Sequence, residues 1–301
     1  MPPYTTRSSE ATISFKELEG NLRPRRESFF LNARMRVEET GGGIQKIIHQ
    51  IWIGDNPVPQ EWMDTVKAFA DKHGYEYKLW KNVDDLGIDD IAGLRKVYNA
   101  FAKQPAGRAD IIRILALYKY GGVYIDADSV IVKPEKFQHF LEKNKAAVFF
   151  GWENLSEKRT RKLRKHGGID PVVLKTRRLV ANGLIGACKG HPFMKRLLDG
   201  FVENMKIESG EGKPEVWKAV GPNYVTRVYN TTRKEFPEVH VYPMKYFYPV
   251  HWGGITDPNM HKNTRIPGQS MLFQYGYTTN SFHKVFKKRQ MTRKAGRKRK
   301  E

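Results

Sequence analysis

The sequence predicts an α/β fold, a sheet flanked by helices, and three observations carry that expectation. Lys46 to Gly54 and Ala146 to Trp152 are near-continuous apolar runs, the composition of strands buried on both faces. One helical stretch separates the first run from Glu76–Trp80, so residues 46–80 read as a β-α-β unit, common in nucleotide-binding sheets. From Gly107 to Pro134 the pattern runs helix, Gly-Gly turn, then a strand carrying two carboxylates, Asp126 and Asp128.

The elements follow in order. Residues 1–43 are polar and end in Gly41-Gly42-Gly43; they read as an irregular arm with one short helix, Ser14 to Leu22. Pro57 and Pro59 break the first strand. Gln60 to His73 sets Trp62, Val66, Phe69 and Ala70 at helical spacing, and Gly74 is the stop. Helices are expected over Asp89–Lys103 and Gln104–Tyr120; in the second, Ile111, Ile114, Leu115 and Tyr118 form one stripe. Val123–Val132 reads as one strand, and Pro134 opens a helix to about Lys143. The segment Ser156–Arg178 has little periodicity and reads as an insertion or mobile loop, within which Arg159–Arg164 reads either as a lid that grips diphosphate or, the favoured reading, as a solvated loop. Leu179–Cys188 is a strand with two glycines, and Pro192 takes the first position of a helix to about Met205. Gly221-Pro222 precedes a helix to Asn230, Glu238–Tyr242 is a strand, Tyr246–Trp252 an aromatic loop and Ser270–Phe282 an extended piece. Residues 284–301 are almost pure charge and read as a disordered tail.

Bulk composition narrows the function classes. The chain has 301 residues, enough for one large domain or two small ones, and 40% hydrophobic content supplies a core. It has no apolar run of about 18 residues and no secretory leader pattern, so a cytoplasmic location is expected. The lone Cys188 excludes an internal disulfide framework and reads as buried and inert. The net charge of +21 points to an anionic partner. That charge is concentrated: nine Lys/Arg against two acids between Glu157 and Arg178, and ten against one from Lys284 to Glu301. The remainder is near balance, as in an ordinary enzyme.

Alternation along a strand would put Tyr124, Asp126 and Asp128 on one face and Val123, Ile125 and Ala127 on the other. Two carboxylates about 7 Å apart repel unless a cation lies between them, and oxygen-only ligands favour Mn²⁺ or Mg²⁺ held partly through substrate phosphates. Asp110 and Arg113 share a helix face at i, i+3; they read either as a surface salt bridge or as a pair that grips sugar hydroxyls and phosphate. The Gly121-Gly122 turn brings them against the carboxylate strand. His49, after two isoleucines, reads as a satisfied core histidine, and His191 as a helix start.

Arg108-Ala-Asp-Ile-Ile-Arg113 followed by Tyr118-Lys-Tyr-Gly-Gly-Val-Tyr-Ile-Asp-Ala-Asp128 resembles the signature of the DXD-containing glycosyltransferases. That family includes fungal Golgi mannosyltransferases and inositol-phosphoceramide mannosyltransferases and is related to clostridial toxin glucosylating domains. Lys46–Gly54, Ala181–Ala187, Gly190–Phe193, Gly221-Pro222 and Phe247–Pro249 follow in the family's order, so the resemblance covers about residues 44–283. It implies a GT-A fold, a Rossmann-like mixed sheet flanked by helices in a single catalytic domain. It also implies retaining transfer of a hexose from a nucleoside-diphosphate sugar with Mn²⁺ or Mg²⁺. By position, Trp52 would stack on the nucleobase, with Tyr124 beside the donor. Asp110 and Arg113 would bind the donor sugar. Asp126 would touch ribose, sugar or metal, Asp128 would ligate the metal, and Asn182 would sit near the anomeric carbon. Where relatives carry a His and a Ser-Trp pair, this chain has Tyr275-Gly-Tyr-Thr-Thr-Asn-Ser-Phe-His283, which makes Asn280, Ser281 and His283 candidates for the third ligand.

Mannose is the favoured hexose, galactose or glucose next, with GDP or UDP as carrier and a glycan, lipid or protein as acceptor. The basic tail would touch an anionic membrane or polymer. The alternative is a nucleic-acid- or polyanion-binding protein on a non-catalytic scaffold of this type; no helix-turn-helix or zinc ligand set supports it.

Overall fold

The computed structural model describes residues 43–166, 169, 171–209, 215–251, 254–277, 282–284 and 286–288. Nearly all of the expected arm and most of the basic tail lie outside them, as do Asn280 and Ser281.

The β-α-β unit forms as expected. Strand β1 (Ile47–Ile51) leads into helix α1 (Gln60–His73), which Gly74 ends in the left-handed region at φ 70°. Strand β2 (Glu76–Trp80) returns parallel to β1. The stretch after β2 does not make one long helix. Gly87 and Gly93 adopt positive φ and leave two short 3₁₀ turns and helix α2 (Leu94–Ala100). Helix α3 (Pro105–Tyr120) buries nearly its whole circumference, which is why its polar residues Asp110 and Arg113 are buried too.

Gly121 and Gly122 turn the chain into β3 (Gly122–Ile125) with φ 67° and 98°. A Cβ on Gly122 would stand 2.5 Å from the Ile47 carbonyl oxygen, so the turn admits no side chain there. His49 seals it: Nε2 lies 2.7 Å from the Gly121 carbonyl, and Nδ1 accepts the Trp80 indole N–H at 3.1 Å. It is the satisfied core histidine expected, and burial lowers its pKa to about 4.

The expected strand over Val123–Val132 is broken. β3 stops at Ile125, Asp126–Asp128 is a turn, and β4 (Ser129–Ile131) leaves for a second, two-stranded sheet with β8 (Leu272–Gln274). The physical cause is a change of partners. The Asp126 N–H donates to the Gly183 carbonyl at 2.8 Å, whereas the Asp128 carbonyl accepts from Tyr275 at 2.9 Å. Simple alternation therefore fails, and Ala127 lines a cleft instead of facing the core.

Helix α4 (Pro134–Lys143), β5 (Val148–Asn154), helices α5 (Glu157–His166) and α6 (Pro171–Thr176), and β6 (Arg178–Ala187) follow. The basic segment is thus helical, not a loop. Thr160 and Leu163 face inward, and Leu155, Leu163, Val173 and Leu179 make a small apolar cluster of their own. Helix α7 (Pro192–Ser209), α8 (Val216–Ala219), α9 (Pro222–Thr232), β7 (Val239–Tyr242), α10 (Met244–Phe247) and α11 (Met260–Asn263) complete the order. Part of the expected aromatic loop is α10, and among the described residues of the expected extended piece β8 is the strand.

The main sheet has the order β2-β1-β3-β6-β5-β7. It is mixed: β6 runs antiparallel to both neighbours and the other pairs are parallel. Helices cover both faces. Tyr124, Phe150 and Ile185 point to the side packed by α2, α3, α7 and α9, and Val123, Phe149 and Leu184 to the side packed by α1, α4 and α10. This is the mixed α/β sheet flanked by helices that the sequence predicts. Among the described residues no helix is long and apolar enough to cross a membrane.

Candidate active site

The carboxyl ends of β1 and β3 and the start of α3 enclose a cleft of about 200 Å³. Trp52, Arg113, Tyr124, Asp126, Asp128 and Tyr277 line it. Five of these were expected from sequence. Trp52 is half-buried at the rim, its ring edge-on to Tyr277 at 5.3 Å, and its indole N–H donates to the Asn56 carbonyl at 3.2 Å.

Arg113 is the hub. Its Nη2 lies 3.1 Å from Asp110 Oδ1 and its Nη1 3.1 Å from Asp126 Oδ1. Nη1 also donates to the Asn182 carbonyl at 2.5 Å, and the guanidinium sits 4.6 Å from the Tyr124 ring centroid. Only a planar fork satisfies this many acceptors at once. Burial opposes the cation, but Asp126, Tyr124 and Asp110 outweigh it and hold the Arg113 pKa above its usual value. The helix-surface alternative for Asp110 and Arg113 is excluded, since each is 6% exposed. Asn182, in the middle of β6, donates its amide to Asp110 Oδ1 at 2.8 Å. Asp110 and Asn182 therefore stand behind the cleft and reach it through Arg113. Burial first, and the charge of Asp126 second, raise the Asp110 pKa to about 7 against the pull of Arg113 and Asn182.

Asp126 and Asp128 have different surroundings. The Tyr124 hydroxyl donates to Asp126 Oδ1 at 2.5 Å and the Gln274 amide to Oδ2 at 2.5 Å. With Arg113 alongside, both Asp126 oxygens are occupied. Asp128 Oδ2 accepts the Tyr277 backbone N–H at 2.8 Å, while Oδ1 is buried with no hydrogen-bond partner. A buried carboxylate oxygen without a donor is costly unless a cation completes it. Burial and the neighbouring Asp126 push the Asp128 pKa up to about 7; the Tyr277 N–H, the Gln274 amide and Arg113 work the other way.

The donor set fits a hard divalent cation. Asp128 Oδ1 offers one oxygen ligand, and a cation of this type takes one or two carboxylates together with substrate phosphates. Among the described residues no three His, Cys, Asp or Glu side chains converge for a metal. His283, in the described part of the expected third-ligand segment, has its ring 6.2 Å from Tyr277 and leaves Nδ1 buried without a hydrogen bond. Cys188 is buried as expected, and burial raises its thiol pKa to about 11.

Sequence reasoning missed Gln274, Tyr277, Gly183 and Gln50. Gln50 donates to the Asp126 carbonyl at 3.4 Å and accepts from the Tyr77 hydroxyl at 2.7 Å. A Cβ on Gly183 would stand 2.7 Å from Asp126 Oδ2 and 2.5 Å from Gln274 Nε2, so the glycine makes room for their contact. The sequence signals for these were the segments that hold them: the first apolar run for Gln50, Ala181–Ala187 for Gly183, and the Tyr-rich extended piece for Gln274 and Tyr277.

Comparison with known proteins matches the family "Glycosyltransferase sugar-binding region containing DXD motif" to residues 59–146. The "Alpha 1,4-glycosyltransferase conserved region" matches residues 186–296. Inositol phosphoceramide mannosyltransferase 3 of Schizosaccharomyces pombe is 38% identical over 88 residues, 28% of this chain and 24% of that protein. Human alpha-1,4-N-acetylglucosaminyltransferase is 23% identical over 155 residues, 48% of this chain and 34% of that protein. The solved PaToxG glycosyltransferase overlaps 70% of this chain and 79% of its own at 18% identity and a TM-score of 0.42. The chain spans about a quarter of the length of the fission-yeast relative.

Proposed function

Since the chain carries a DXD-containing glycosyltransferase sugar-binding region and is homologous to the inositol phosphoceramide mannosyltransferases, we propose that it is a divalent-cation-dependent, retaining glycosyltransferase of GT-A type. Its catalytic domain is residues 44–283, and it works in the cytoplasm. It moves a hexose, mannose before galactose or glucose, from GDP or UDP to a glycan, lipid or protein. The observation that carries this reading is Asp128 Oδ1, buried and unpartnered at the end of a cleft lined by Trp52 and Arg113.

In this mechanism Trp52 stacks on the nucleobase at the rim and Tyr277 closes against it. Arg113, clamped by Asp110, holds Asp126 in place for the ribose or the sugar. Asp128 Oδ1, with Asn280, Ser281 or His283 as the further ligand, holds Mn²⁺ or Mg²⁺. That cation supplies charge neutralisation for the departing diphosphate. Asn182 acts from behind the cleft, its amide on Asp110 and its carbonyl on Arg113, and so bears on the anomeric carbon only through Arg113. The bond from the anomeric carbon to the diphosphate breaks, and the electron pair leaves with the diphosphate. The acceptor oxygen bonds to the same face, and the released diphosphate oxygen takes its proton.

The deciding experiment is Mn²⁺-dependent hydrolysis of a panel of UDP- and GDP-sugars by the wild type and by Asp128→Ala. The variant is expected to fold and to lose hydrolysis at least about a hundredfold, the scale on which charge-stabilising groups act. Full activity in the variant would sink the mechanism. A thermal-shift screen of the same nucleotides with Mn²⁺ identifies the base, because ligands that bind only the folded state raise its Tm.

A further inference from the structure

The two carboxylates of the Asp126-Ala127-Asp128 turn behave differently because a distant residue divides them. β8 pairs with β4 in the register Ser129↔Gln274, and this fixes the backbone of Gln274 beside the turn. Its amide Nε2 donates to Asp126 Oδ2 at 2.5 Å and also lies close enough to the Asp128 carboxylate to favour its ionised form. Gly183 on β6 leaves the space in which this happens. Three residues further on, the Tyr277 N–H takes Asp128 Oδ2. The strap that carries Gln274 and Tyr277 is anchored away from the cleft. Tyr275 lies flat on Trp62 of α1, with centroids 4.1 Å apart and 4° between the planes. The Tyr277 hydroxyl donates to the Pro57 carbonyl at 2.5 Å.

We infer that Gln274 is a positioning residue that assigns the two carboxylates their separate tasks. With its amide in place, Asp126 has donors on both oxygens and is turned toward Arg113 and Tyr124. Asp128 Oδ1 is then the carboxylate oxygen left open to a cation. Without the amide, Asp126 Oδ2 loses its donor and becomes a second open oxygen beside the first. The cation then has an extra ligand to choose, and Asp126 is drawn from the geometry that Arg113 and Tyr124 give it. A neutral donor is needed at this place. A cationic side chain would compete with the metal, and a carboxylate would repel both aspartates.

The inference rests on the proposed transfer reaction for its activity readout, and on cation binding alone for its second readout. The test uses the full chain and Gln274→Met, which keeps the length of the side chain and removes the donor. Mn²⁺ binding is titrated by electron paramagnetic resonance without nucleotide, Tm is measured, and kcat and donor KM are obtained for sugar-nucleotide hydrolysis. The expected result is an unchanged Tm and Mn²⁺ bound at least as tightly as by the wild type. The kcat falls about tenfold to a hundredfold, equivalent to one hydrogen bond to a charged group, with donor KM within about twofold. Gln274→His, which offers a ring N–H toward the same oxygen, is expected to recover part of the kcat. A packing role would instead weaken Mn²⁺ binding and Tm together, and that result, or an unchanged kcat, overturns the inference. If the wild type hydrolyses no sugar nucleotide, the transfer reading fails, while the Mn²⁺ titration still decides the role of Gln274: weaker binding by Gln274→Met refutes it.

Discussion

Removing the Arg113 guanidinium is the most informative perturbation of the buried site. Arg113→Met keeps the aliphatic stem and deletes the fork. The structure gives the fork two carboxylates at 3.1 Å, Asp110 and Asp126, and the Asn182 carbonyl at 2.5 Å. Breaking a buried ion pair from one side costs roughly 3–5 kcal/mol, because the other charge stays behind. For a domain of this size 1 kcal/mol is about 2–4 °C in Tm, so the loss is about 6–20 °C. The loss must depend on pH. With the cation gone, the folded-state pKa of Asp110, already raised to about 7, rises further above its unfolded value. A carboxylate with a raised folded pKa costs stability above its unfolded pKa, and the cost vanishes as pH falls. Differential scanning calorimetry at pH 5 and pH 8, without metal, measures this directly. The deficit of Arg113→Met is expected to be the full amount at pH 8 and less than half of it at pH 5. A deficit below about 1 kcal/mol, or one equal at both pH values, would refute the view that Arg113 is the counter-charge of the buried pair.

Two further tests follow from the same geometry. The wild-type Asp110 pKa is raised to about 7, so its contribution to stability is fully favourable near pH 4 and is lost as pH rises through 7. Asp110→Asn keeps an acceptor for the Asn182 amide and removes the charge. Its Tm relative to the wild type is therefore expected to rise from pH 5 to pH 8, and a constant difference would argue against the burial effect. Gly122→Ala must hold φ near 98° with its methyl 2.5 Å from the Ile47 carbonyl oxygen. A cost of about 1–3 kcal/mol in urea unfolding is expected, and a neutral result would show that the turn relaxes freely.

Elements with local punctuation were legible in the sequence. α1, β2 and α4 have the expected bounds because Gly74 and Pro134 mark ends that no tertiary contact has to decide. The helix, double glycine and carboxylates of residues 107–128 were legible for the same reason. The break after Ile125 was not, because it depends on which strand takes each backbone group. Gly183 takes Asp126 and Tyr275 takes Asp128, and neither partner is near in sequence. The basic helices α5 and α6 were hidden differently. Their Lys and Arg residues mask the inward positions Thr160, Leu163 and Val173, whose partners Leu155 and Leu179 lie on the flanking segments.

The same distinction explains why the charged part of the candidate site is assembled from three separated segments. Residues 110–128 supply the charges and an internal cation, but the four side chains Asp110, Arg113, Asp126 and Asp128 would not hold their geometry alone. Like charges in a dry pocket repel unless each oxygen has an assigned donor. The assignments come from β6, through Asn182 and the gap at Gly183, and from the β8 strap, through Gln274 and Tyr277. β6 can do this because it is the antiparallel strand of the main sheet and passes the end of β3, where the turn begins. The strap can do it because β4 leaves the main sheet just after the turn and pairs with β8. The break that defeats simple alternation is therefore also what brings Gln274 to Asp126. A continuous strand through Val132 would have kept β4 in the main sheet and left the turn without its second set of donors.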